Sequence, residues 1–155
     1  MQITDNLKND ISNAPTWFLD TIAIKPSEKI LEDVKGNLSY SVWPSSSENK
    51  NLMIFIHGTG AHKKWWYPIA PQFVDYSNVI AIDLPGMGDS GFREKYSIKD
   101  FGQCIISIIE KEKSNMDIDS ISIIGHSLGG QVAGYVASEK KDLVSNLIMI
   151  DTFIR

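Results

Sequence analysis

The stretch Ile121-Ser122-Ile123-Ile124-Gly125-His126-Ser127-Leu128-Gly129-Gly130 decides how this chain is read. Ile121 to Ile124 is a short aliphatic run, and a helical pattern begins near Leu128. The residues between them must turn the chain from strand to helix almost at once. Such a turn forces its central residue into a strained conformation, with the side chain exposed at the carboxyl edge of a sheet. Its flanking residues have to be small, hence Gly125 and Gly129. A serine that only caps the helix needs no glycine on both sides. The helix N-terminus behind Ser127 also offers free N–H groups and a positive dipole end, both suited to a developing oxyanion. The pattern points to Ser127 as a nucleophile.

Outward from this turn the same architecture repeats. Leu52 to Ile56, Val79 to Ile82 and Leu147 to Ile150 are continuous aliphatic runs, as expected of parallel strands covered on both faces. Helix-length segments lie between them. Ser97 to Lys113 places Ile98, Phe101, Ile105, Ile108 and Ile109 on one face, with Ser97 and Asp100 as a capping pair. Leu128 to Lys140 is a second helix, rich in small residues that allow close packing on a sheet. Trp65 to Val74 is a third helical candidate, interrupted by Pro68 and Pro71. Ahead of these, Trp17 to Ile24 reads as a short helix. Lys29 to Val34 and Asn37 to Trp43 read as a hairpin turning at Gly36-Asn37. Strands alternating with helices predict an α/β fold: a mostly parallel sheet with helices on both faces.

Composition bounds the partners. The chain has 155 residues, 15 Lys plus Arg against 19 Asp plus Glu, and a net charge of −4, so it lacks the basic face of a nucleic-acid binder. That length predicts one domain over residues 1–155. The pairs Lys63-Lys64 and Lys140-Lys141, and Lys111 with Lys113, are expected to be solvated surface. Cys104 is the single cysteine and sits in an apolar helical pattern, where a buried, inert thiol is expected. No apolar run approaches the roughly 18 residues of a membrane span. The polar start MQITDNLKND has no apolar leader core, so a soluble cytoplasmic location is expected.

Two further segments belong beside Ser127. His57-Gly58-Thr59-Gly60 follows the first aliphatic strand, where glycines let a loop approach a ligand and offer backbone N–H groups to an oxyanion. His57 itself is expected to fix that loop rather than act as a base. Asp83-Leu84-Pro85-Gly86-Met87-Gly88-Asp89-Ser90-Gly91 follows the next strand, and its Gly and Pro density makes an irregular loop. Asp83 and Asp89 are expected to hold loop N–H groups. Their spacing is not that of a hydrolytic metal site, and nothing in the chain requires a metal or an organic cofactor.

Together, HG-T-G at 57–60, D-L-P-G-M-G-D-S-G at 83–91 and G-H-S-L-G-G at 125–130 resemble the α/β-hydrolase superfamily, in its order and separation, from Lys29 to Arg155. The resemblance implies a serine hydrolase of ester or related acyl bonds, working through a covalent acyl-enzyme on a small-molecule acyl substrate. Ser127 would attack the acyl carbon. Leu128 N–H and an N–H of the loop after His57-Gly58, that of Thr59, would hold the oxyanion, with Gly125, His126 and Gly129 completing the turn. Serine rather than aspartate at 127 argues against the dehalogenase and epoxide hydrolase branches.

The departure from the superfamily lies after the serine. Its triad runs Ser, then Asp or Glu, then His, yet His57, His62 and His126 all precede Ser127. Asp151, at the carboxyl end of the last aliphatic run, is the candidate acid; Asp142 reads as surface charge. The resemblance implies an N-terminal portion of about six strands, with the cap, the last strands and the histidine beyond Arg155. The alternative is a non-catalytic binding protein or remnant on the same scaffold.

Overall fold

A computed structural model describes residues 13–153. The polar start at residues 1–12, and Ile154 and Arg155 of the closing segment, lie outside the described residues. Helix α1 (Thr16–Ala23) is followed by strands β1 (Ser27–Leu31) and β2 (Leu38–Trp43), which pair antiparallel from Ser27 against Val42 to Leu31 against Leu38. The expected hairpin is thus present, but residues 32–34 leave its ladder. Asp33 and the Gly36 carbonyl turn instead to the Arg93 guanidinium, at 3.1 and 2.9 Å.

Strands β3 (Asn51–Ile56), β4 (Asn78–Ile82), β5 (Ser120–His126) and β6 (Val144–Ile150) complete one sheet in the order β1-β2-β4-β3-β5-β6. β2 meets β4 antiparallel, whereas β3 pairs parallel with both β4 and β5, and β5 pairs parallel with β6. Side chains alternate across the sheet. Ile54, Ile56, Ile80, Ile82, Ile121 and Ile123 face one way, and Phe55, Val79, Ala81 and Ile124 face the other. Each face must be covered, which explains why the runs are continuous rather than alternating.

Helices α2 (Ile98–Lys113) and α3 (Leu128–Glu139) cover the first face through Phe101, Ile105, Ile108, Val132 and Val136. Ser97 caps α2 as expected, accepting the Asp100 N–H at 3.1 Å. Cys104 is buried on this helix, and burial raises its thiol above the usual range. The second face is covered by two 3₁₀ turns, Lys63–Trp66 and Ala70–Phe73, with α1 packed against the second of them. This corrects the single helix expected over Trp65 to Val74. Pro68 and Pro71 cannot donate the N–H groups a continuous helix there would need.

Right-handed crossovers dictate which face each connection takes. From β3 the chain moves to β4 on one side, then returns past β3 to β5 and on to β6. Opposite directions require opposite faces. β3 and β5 are therefore neighbours whose following segments diverge, leaving a crevice at their carboxyl ends. Among the described residues β6 has a partner on one side only, and Leu147, Ile148 and Ile150 on it are 40–49% exposed.

Candidate active site

The crevice between β3 and β5 is where open α/β sheets bind ligands. Ile56 pairs with Gly125, so the loop from His57 and the turn at Ser127 start side by side. Ser127 has φ 52° and ψ −116°, a conformation an L-residue rarely adopts. Its surroundings over-determine that strain. A Cβ at Gly125 would lie 2.2 Å from the Gly129 carbonyl oxygen, and one at Gly129 would lie 2.3 Å from that of Ile56. Ser127 N–H donates to the Ile150 carbonyl at 2.9 Å, which pins the turn to the end of β6. Leu128 then opens α3, where the first N–H groups have no partner within the helix.

The facing loop turns tightly. Ala61 N–H donates to the Gly58 carbonyl at 3.2 Å, and Gly60 takes φ +72° at the third position of that turn. Gly58 lies so close that a Cβ on it would be 3.2 Å from Ser127 Cβ. Gly58, Thr59, His62, Trp65, His126 and Ser127 line a cleft of about 200 Å³. Trp65, half-exposed, packs its ring against His126 at 5.5 Å between centroids and forms one wall. The sequence reading did not single out Trp65, because only the 3₁₀ turn brings it back over the cleft.

His57 is fully buried and both ring nitrogens are engaged. Leu84 N–H donates to Nε2 at 3.1 Å, which places the proton on Nδ1, donating to the Gly58 carbonyl at 2.7 Å. Burial holds its pKa below the ordinary 6.5 despite the Gly58 bond and the nearby Asp83. The unfolded chain therefore binds more protons than the folded one as pH falls below about 6.5, and stability is lost in that direction. The urea midpoint should drop between pH 7.5 and 5.5, the unfolding free energy falling by at most about 1.4 kcal/mol per pH unit for one proton. A flat midpoint across that range would contradict the neutral, buried ring.

Asp83 and Asp89 behave differently from one another. Asp83, 1% exposed, accepts the N–H groups of Lys63 and Asp89 at 2.6 and 2.9 Å, as expected for a loop-fixing carboxylate. Asp89 reaches the Lys63 ammonium, as Asp83 also does, and that hydrogen bond holds the Asp89 carboxyl below the usual range. Lys63 is 1% exposed, which corrects the solvated surface expected of it, while Lys64 is exposed as expected. Two carboxylates in one loop at a buried strand end were the available hint that a cation had to come from elsewhere. Asp151 stands just past β6, exposed, with φ 46°. Among the described residues no three His, Cys, Asp or Glu side chains are grouped so as to hold a metal ion. Nor is any helix long and apolar enough to cross a membrane.

Over 101 residues the chain is 31% identical to a pimeloyl-[acyl-carrier protein] methyl ester esterase of Pseudoalteromonas atlantica, covering 64% of this chain and 36% of that protein. It is 31% identical over 104 residues to a soluble epoxide hydrolase of Corynebacterium sp., covering 64% and 34%. The thioesterase domain from the curacin biosynthetic pathway superimposes with a TM-score of 0.71 at 26% identity, over 82% of this chain and 46% of that one. The matches thus span about a third of the length of these curated relatives. The family model of the alpha/beta hydrolase fold matches residues 51–155, from β3 through the serine turn and β6, and the chain belongs to that family.

Proposed function

We propose that this chain is the nucleophile-bearing part of a serine hydrolase that cleaves ester or related acyl bonds of small molecules. The observation that carries the reading is Ser127 held at φ 52° beside the Gly58–His62 loop, at the mouth of the crevice between β3 and β5. A strained, glycine-walled serine between a buried strand and a helix N-terminus suits nucleophilic attack better than it suits packing. The Ser127 hydroxyl attacks the acyl carbon as a base takes its proton. The Leu128 and Thr59 N–H groups receive the oxyanion. Collapse expels the leaving alcohol or thiol, which takes up the proton, and water then releases the acyl group from Ser127.

The base has to come from elsewhere than His57, whose nitrogens are both occupied. A histidine carried by a segment that follows β6 in a longer polypeptide would complete the triad, with Asp151 as a candidate acid. Serine at 127 supports acyl chemistry over carboxylate-nucleophile chemistry, and the methyl ester esterase and the thioesterase are relatives whose names fit it.

The test uses the longest natural polypeptide that carries residues 1–155. A fluorophosphonate probe should label it, and Ser127→Ala should abolish the labelling. Labelling that survives the substitution would remove Ser127 from the chemistry. No labelling of the parent chain would favour a binding protein on the same scaffold.

A further inference from the structure

Lysine is almost never fully buried unless it is paired. The Lys63 ammonium has an acceptor for each proton: Ser39 Oγ at 2.8 Å, Asp83 Oδ2 at 2.9 Å and Asp89 Oδ2 at 2.8 Å. Glu28 Oε2 stands 3.6 Å away. Burial alone would lower the lysine's pKa, but the bonds to Asp89 and Asp83 outweigh it and raise it, so the group stays charged. A buried ion pair is poor evidence for added stability, because desolvation offsets most of the attraction. What this one holds in place is more informative.

The loop after β3 is tied at both ends to the same neighbour, the loop after β4. At its start, Leu84 N–H donates to His57 Nε2 at 3.1 Å. At its end, Lys63 grips Asp83 twice, through its backbone N–H at 2.6 Å and its ammonium at 2.9 Å. Between these anchors lie Gly58, Thr59, Gly60, Ala61 and His62, the wall of the cleft that faces Ser127. Two glycines make this segment conformationally free by itself. Its end anchors, and the turn bond from Ala61 to Gly58, restrain it.

We propose that Lys63 is a positioning residue, whose buried ammonium, through Asp83 and Asp89, fixes the far end of the Gly58–His62 loop and so holds the Thr59 N–H where the oxyanion forms. This rests on the reading of Ser127 as the nucleophile. Lys63 touches no substrate. Its effect passes through the loop backbone, and a donor misplaced by about 1 Å can cost about 10²-fold in rate.

Three variants of the longest natural polypeptide carrying residues 1–155 test it: Lys63→Met, Asp89→Asn, and Lys63→Met with Asp83→Asn. The double variant leaves no unpaired buried charge, so it keeps the question answerable if Lys63→Met alone fails to fold. In the double variant kcat per fluorophosphonate-titrated site should fall about 30–100-fold, with KM within about twofold, the signature of a lost transition-state contact. Asp89→Asn should fall in the same direction by less. In the same variant, ¹⁵N order parameters of the Thr59 and Gly60 amides should drop from about 0.85 to below about 0.6. A purely structural lysine would lower the melting temperature and the titratable fraction while leaving kcat per site and the order parameters unchanged, and that result overturns the proposal. Failure of the nucleophile reading looks different: hydrolysis and labelling would survive Ser127→Ala, while the relaxation measurement would still decide the clamp by itself.

Discussion

Residues 1–155 expressed alone are expected to hydrolyse an activated ester about 10⁶-fold more slowly than a longer polypeptide carrying the same residues and a histidine after β6. That ratio corresponds to about 8 kcal/mol of transition-state stabilisation. The expectation follows from the proposed mechanism and from where the histidines are. His57 is sealed between Leu84 and Gly58, and His62, His57 and His126 all come before the serine. The backbone donors near Thr59 and Leu128 would remain, so a weak residual rate above water is expected rather than none. The isolated chain should also bind an apolar-surface dye and self-associate with concentration. Among the described residues the outer edge of β6 has no strand partner, beside half-exposed Leu147, Ile148 and Ile150, a template for further strand pairing. The measurement is kcat on a p-nitrophenyl ester for both polypeptides, normalised to total protein. Rates within about 100-fold of each other would mean that a base is supplied from residues 1–155.

Gly129→Ala and Gly134→Ala, five positions apart on α3, are expected to change stability in opposite directions. At Gly129 an added Cβ would lie 2.3 Å from the Ile56 carbonyl oxygen and 2.5 Å from that of His57. Both are backbone atoms at the end of β3, so relief requires moving the strand or lifting the helix off it. The cost should be about 3 kcal/mol, the upper part of the range for overpacking. At Gly134 the nearest contact would be Met149 Cε at 3.8 Å, ordinary van der Waals distance. There the helix gains the difference between glycine and alanine, about 0.5–1 kcal/mol. Urea midpoints of the two variants against the parent settle the signs. A Gly129→Ala protein as stable as the parent would show that the serine turn does not depend on this close approach of α3 to β3.

Much of the fold is legible locally. The capped start of α2 at Ser97, the continuous aliphatic runs that became β3 to β6 and the tight turn at Ser127 each follow from residues adjacent in sequence. The two prolines at 68 and 71 already disfavoured a continuous helix, though their outcome as two 3₁₀ turns was set by packing over Phe55 and Val79. The shortened hairpin was not legible, since residues 32–34 are drawn out of it by Arg93, 60 positions along the chain from Asp33.

The sequence by itself determined the strand-and-helix alternation, the strained serine turn and the glycine loop that faces it, because each is decided by sterics and periodicity over fewer than about ten residues. Only the tertiary structure decided that Trp65 walls the cleft and that His57 is locked neutral. It alone decided, too, that Lys63 lies buried between Asp83 and Asp89 while its neighbour Lys64 stays exposed. A lysine's fate depends on whether carboxylates from another loop arrive to pay for its desolvation, and that is a property of two loops meeting at one sheet edge.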